Sequence, residues 1–162
     1  MKTIHILAAC TAAAFLPAIA SAEVTRLAGP AQSPILAGVT VPAGTTLVLL
    51  SGQVPPALDP TKAADAIDTY GDTRTQATGV FRKIEALLRQ QGLGLKDVIK
   101  LTVFLVGDPK NGGTLDFKGF SEAYGQFFGT ADQTNKVARS VVQVSALANP
   151  GFLVEIEATA AR

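Results

Sequence analysis

The chain has 162 residues, 48% hydrophobic and 17% charged, enough length and apolar content for one domain of ordinary size. Its single methionine, histidine and cysteine are Met1, His5 and Cys10, and it has no tryptophan. Beyond residue 22 this excludes a Ser-His-Asp triad, a cysteine nucleophile, a disulfide, a zinc site of the usual Cys/His kind and a haem held by His, Met or Cys. Chemistry there must come from Asp, Glu, Lys, Arg, Ser, Thr, Tyr, Asn, Gln or the backbone. The chain carries 14 Lys+Arg and 13 Asp+Glu, and Lys2 is the only one of these before Glu23, so the remainder is formally neutral. Nucleic-acid binders usually show a basic surplus or stripe, and no basic run here exceeds Arg82-Lys83.

Residues 1–22 read as a secretory signal. Lys2 supplies the positive n-region, an apolar run from Ile6 to Leu16 follows, and Pro17 precedes the small-residue exit Ala20-Ser21-Ala22. Leu7-Ala8-Ala9-Cys10 looks like a lipoprotein box but stands too close to Lys2 for an h-region, and Pro17 with Ala-x-Ala favours cleavage over a retained anchor. The expectation is one domain over 23–162, periplasmic or secreted, with no stable membrane insertion after cleavage.

In chain order, Ile35 to Val41 and Thr45 to Leu50 read as strands, paired as a hairpin through Pro42-Ala43-Gly44. A long loop with Pro55, Pro56 and Pro60 runs to Asp72, where Asp72 or Thr73 caps a helix. Ala77, Val80, Phe81, Ile84, Leu87 and Leu88 recur along it at helical spacing, and Gly92 stops it. Asp97 to Val106 alternates as a strand around Ile99, Leu101, Val103 and Leu105. A second loop, with Pro109 and Asn111-Gly112-Gly113, leads to a helix capped by Asp116 and bearing Phe117, Phe120, Tyr124, Phe127 and Phe128 on one face, a stripe that core packing explains.

Arg139 to Ala146 and Leu153 to Ala160 close the chain as strands joined by Asn149-Pro150-Gly151. The order predicts an α+β fold, a mostly antiparallel sheet with two helices packed on one face, and a bare face most simply covered by self-association.

Three features carry chemistry. Glu155 and Glu157 share one face of the last strand, and Arg139-Ser140 opens the strand before it, so an antiparallel pair would bring the guanidinium near a carboxylate. Each of these also suits a solvated strand face with a structural ion pair. Ser51-Gly52 follows a strand, where glycine permits close approach of a ligand or another chain, or simply makes a turn. No glycine-rich stretch has the context of a phosphate-cradling loop.

Taken in order, Ser51-Gly52-Gln53, the helix from Phe81 to Leu88, the strand from Asp97 to Leu105, Phe117 to Phe128, Ala138-Arg139-Ser140 and Val154-Glu155-Ile156-Glu157-Ala158 resemble the RidA (YjgF-like) family over nearly all of 23–162. The resemblance implies a chorismate-mutase-like fold and a homotrimer with small-molecule clefts at subunit interfaces. The activity it implies is hydrolysis of reactive 2-imino or enamine acids, such as 2-iminobutanoate and 2-iminopropanoate, to 2-keto acids and ammonia without metal or cofactor. By the same resemblance Arg139 grips the substrate carboxylate and Glu155 stands by the attacking water, both as catalytic residues. Ser51, Gly52, Ser121, Val141 and Ile35 then line the substrate site.

The tyrosine that active members carry in a Gly-Pro-Tyr-like stretch is missing: Gly29-Pro30 is followed by Ala31, and the closest alternative alignment puts Ile35 there; Ser121 stands where many carry asparagine, and Val141 where several carry cysteine. A non-catalytic ligand-binding or protein-interacting trimer is the alternative of a different class. A ribonuclease, an activity sometimes attached to the family, conflicts with the neutral charge.

Overall fold

The structure is a computed structural model that describes residues 23–162; the expected export signal lies outside the described residues. Eight principal elements follow one another: β1 (Thr25–Ala28), β2 (Leu36–Thr40), β3 (Leu47–Gln53), α1 (Thr73–Gln90), β4 (Val98–Val106), α2 (Phe117–Tyr124), β5 (Ala138–Val144) and β6 (Val154–Ala161). Among the described residues no helix is long and apolar enough to cross a membrane. The strands form one sheet in the order β1-β2-β5-β4-β6-β3, with both helices on one face.

The expected architecture holds, but the sheet is mixed: β5 runs parallel to both β4 and β2, while β1–β2, β4–β6 and β3–β6 are antiparallel. The reason is α2. A strand, a covering helix and a return strand on the same sheet make a crossover, and a crossover delivers its second strand parallel to its first. With β5 on one edge of β4, β6 takes the other edge, so the expected β5–β6 hairpin does not form.

The Asn149-Pro150-Gly151 turn is instead docked on other parts of the chain. Asn149 Nδ2 donates to Ala64 O at 2.8 Å, and Gln76 Nε2 donates to Gly151 O at 3.0 Å. The β2–β3 hairpin is absent too. Thr45 N does donate to Pro42 O at 3.3 Å, but the strands on either side of this turn go to different regions of the sheet. The link from Val41 to Thr46 can extend to about 20 Å, matching the four strand spacings of about 4.8 Å that separate β2 from β3.

Local signals explain the helices. Asp72 accepts from Thr75 N at 2.8 Å as the N-cap of α1, and Gly92, at φ 69°, closes its C-terminus with Leu93 N donating to Leu88 O at 2.9 Å. Asp116 caps α2 by accepting from Gly119 N at 2.8 Å. That helix ends at Tyr124, so Phe127 and Phe128 sit in the following turn rather than on the helix, yet both still pack against Phe81. The core lies between helices and sheet: Phe81, Ile84 and Leu88 of α1 and Phe120 and Tyr124 of α2 close over Leu101, Val103, Leu105, Val154, Ile156 and Ala158.

Gln76, on the first turn of α1, faces the core. Its Nε2 donates to Gly71 O at 2.9 Å and to Gly151 O at 3.0 Å, and its Oε1 accepts from Leu153 N at 2.7 Å. It ties the first long loop to the turn before β6. Gln76→Leu strips these backbone groups of their partner and is expected to lower stability by about 3 kcal/mol. Denaturant unfolding measures this; a loss below about 1 kcal/mol would mean that water replaces the amide.

Candidate functional site

Arg139 is the second residue of β5, directly beside Leu101 in the parallel register, and therefore on the helix-covered face. Its Cζ lies 4.3 Å from the ring centroid of Tyr124, 5.1 Å from Phe120 and 5.9 Å from Phe117. Three aromatic faces around one guanidinium hold it by cation–π attraction. They cannot accept its hydrogen bonds, and Arg139 Nε and Nη1 are buried without a partner, as is Ser121 Oγ one turn before Tyr124.

Burial lowers the Arg139 pKa, partly opposed by attraction to Tyr124. Burial raises that of the Tyr124 hydroxyl, which donates to Pro34 O at 3.2 Å.

These groups open on a cavity of about 240 Å³ lined by Pro34, Ser121, Tyr124, Gly125, Phe128, Gly129, Lys136 and Arg139. Larger concavities lie elsewhere, the two most voluminous being about 720 Å³ between Pro56 and the outer side of α1 and about 660 Å³ around Arg26 and Arg162. Their chemistry is more fully satisfied. Arg26 donates to Lys96 O, Val98 O and Lys136 O, Arg74 pairs with Glu122 at 3.2 Å, and Arg82 and Lys83 are exposed to water. A buried polar group without a partner costs about 1 to 3 kcal/mol, and Arg139, which lines the small cavity, carries two such nitrogens.

A second set of residues lies on the bare face. Glu155 and Glu157 alternate with the buried Val154, Ile156 and Ala158, and the register sets Glu155 beside Phe104 and Glu157 beside Thr102. Gly52, at the bulge in β3, packs directly on Glu155: a Cβ there would overlap Glu155 Oε1 and come within 2.7 Å of Cδ. Ser51 is exposed alongside, on a hollow of about 270 Å³ shared with Leu49, Lys100, Thr102 and Glu157. Leu49 is 72% exposed, and Leu47 and Val142 also present apolar surface.

The expected proximity of Arg139 to a β6 carboxylate is therefore corrected. β4 intervenes, placing the strands about 10 Å apart, and the side chains leave opposite faces of the sheet. Ser121 shares the cavity with Arg139. Val141 lies on the same face one pair further along, packed against the core, and Ile35 packs against the core beside cavity-lining Pro34. Gly52 packs on Glu155, and Ser51 shares the neighbouring hollow with Glu157.

Sequence reasoning did not single out Lys136 and Pro34, both of which line the cavity. Lys136 stands three residues before Arg139, an odd offset that strand alternation assigns to the opposite face. It reaches the cavity because β5 begins only at Ala138.

A helix-covered mixed sheet with a small aromatic-walled cavity beneath one helix defines an α+β domain. The family described as Endoribonuclease L-PSP matches residues 37–162. The Escherichia coli K12 protein named "Putative reactive intermediate deaminase TdcF" is 32% identical over 138 residues, covering 85% of this chain and 94% of TdcF. A RutC family protein of Pyrococcus horikoshii is 35% identical over 132 residues, covering 82% and 86%.

Among solved structures, E. coli TdcF with bound serine superposes with a TM-score of 0.56 at 32% identity, over 85% of this chain and 94% of that one. YyfB of Yersinia pestis, from the conserved Rid protein family, gives 0.62 at 26% identity, over 85% and 98%. The chain belongs to this family, the RidA (YjgF-like) proteins.

Proposed function

We propose that the protein hydrolyses reactive 2-imino or enamine acids to 2-keto acids and ammonia. The observation that carries this reading is the buried Arg139 guanidinium with two unsatisfied nitrogens on a cavity sized for a small acid. A substrate carboxylate in that cavity pairs with the guanidinium that lines it. The charge-assisted contact is worth about 1.5 to 3 kcal/mol. Water adds to C2 of the imine, the nitrogen takes protons as the tetrahedral adduct collapses, and the C–N bond breaks to release ammonia and leave the keto acid. Glu155 orients the water and moves its proton, a role worth about 10²- to 10⁴-fold in rate.

Arg139 and Glu155 lie on opposite sheet faces of one chain, so the reading requires a homotrimer in which one copy offers the Arg139 cavity and its neighbour offers Glu155 and Gly52. The exposed leucines of the bare face are the surface such an assembly would bury. Residues 1–22 support export to the periplasm or beyond, so the substrate is met outside the cytoplasm. The alternative is a non-catalytic trimer that binds the acid only, favoured by the loss of the family's tyrosine, with Ala31 or Ile35 at its place. A ribonuclease is disfavoured by the formally neutral chain beyond residue 22.

The test is ammonia release from 2-iminobutanoate and 2-iminopropanoate generated in situ, by protein from Glu23 onward shown by sedimentation to be a trimer. Acceleration over buffer is expected. A folded trimer that binds keto acids without accelerating release would establish the binding protein instead.

A further inference from the structure

We propose that Lys136 makes the Arg139 cavity selective for acids with a second carboxylate, so that short 2-imino dicarboxylates are the preferred substrates; this rests on the deaminase reading above. Lys136 lies in the loop just before β5, half-buried, and its stem packs over Gly129, with Cγ 3.6 Å and Cε 3.8 Å from where a Cβ of that glycine would be. Its Nζ donates to Ser33 O at 2.7 Å. The neighbouring carbonyl, Pro34 O, accepts from Tyr124 at 3.2 Å, so the segment holding the ammonium is pinned from both sides. An ammonium has further N–H donors, and among the described residues Lys136 enters no ion pair.

Within one chain the cavity wall thus carries two cations, Lys136 and Arg139, and no carboxylate; the Glu155 that a neighbouring copy would add stands by the attacking water. A monocarboxylate neutralises one of them; a dicarboxylate neutralises both. Pro34, Phe128 and Tyr124 keep the surroundings apolar, which strengthens charge discrimination over what water would allow. At about 240 Å³ the cavity holds the volume of about eight waters, room for a short acid but not for a nucleotide. The reaction is unchanged in form: water adds across the C=N bond, ammonia leaves, and the 2-keto dicarboxylate remains, with the second carboxylate taking no part in bond making.

Calorimetric titration of the purified chain with 2-oxoglutarate and with 2-oxobutanoate, alongside ammonia release from the corresponding imino acids, tests this. The dicarboxylate is expected to bind about 10- to 100-fold tighter, Lys136→Met to remove that advantage, and Lys136→Arg to retain most of it. Equal affinities, or a preference that persists in Lys136→Met, would overturn the inference. Thermal melting checks that both variants fold, and if Lys136→Met does not, Lys136→Gln takes its place. Ammonia release from 2-iminobutanoate without dicarboxylate preference would sink this inference alone. Lys136-dependent dicarboxylate binding without ammonia release from either imino acid would sink the deaminase reading, and with it the claim about substrates, while upholding the cavity's selectivity for a second carboxylate; neither binding nor release would sink both.

Discussion

Arg139→Met is expected to abolish binding of small keto acids while leaving the melting temperature unchanged or raised. Methionine fills much of the same volume among Phe117, Phe120 and Tyr124 and brings no donors. The substitution gives up a cation–π attraction of about 0.5 to 2 kcal/mol but removes two buried unsatisfied nitrogens, each of which costs about 1 to 3 kcal/mol. Exchanging a buried charge for a packed apolar side chain is often neutral or stabilising for this reason. Affinity for a carboxylate should fall about 100-fold or more, because a fork of charge-assisted bonds in a poorly solvated cavity has no substitute. Calorimetry and thermal melting on the same preparation measure both. Loss of binding accompanied by a fall in melting temperature of more than about 10 °C, several kcal/mol for a domain of this size, would mean that Arg139 is a structural element of the core.

Gly52→Ala should reduce turnover about as severely as Glu155→Gln, about 10²- to 10⁴-fold, with much smaller effects on KM and stability. Gly52 is not among the glycines with positive φ, so alanine is compatible with its backbone. The new methyl group falls on the Glu155 carboxylate instead. A flexible side-chain end yields readily, so the fold survives while the carboxylate swings out of position. Steady-state kinetics of the two variants beside the wild type decide the point. Full activity in Gly52→Ala together with a collapse in Glu155→Gln would show that the carboxylate works from a position the glycine does not set.

Both expectations act on residues that the sequence brings to attention, yet neither follows from it alone. Periodicity located α1, β4 and β6 and the face each buries, because alternation at 3.6 or 2 residues depends on the local chain. It missed β1, whose TRLA segment is largely exposed and held by pairing with β2. It extended α2 to Phe128, since the aromatic stripe continues through the turn that ends the helix. Hairpins assumed from turn sequences failed on both occasions, because turn chemistry specifies a reversal of the chain but not the neighbour each strand then finds.

What the sequence by itself determined is the chemical inventory and the two-sided character of each element: no His, Cys or Met beyond Cys10, Arg139 opening a strand, Glu155 opposite a buried row. Composition and local period are carried by adjacent residues, so they are legible without the fold. Only the tertiary structure decided that α2 makes β5 a crossover strand, that β4 stands between Arg139 and Glu155, and that Lys136 reaches Arg139's cavity. Strand order and side-chain convergence depend on contacts between distant segments. Arg26 Nη1 donating to Lys136 O, 110 residues along the chain, is one of the bonds that hold such an arrangement in place.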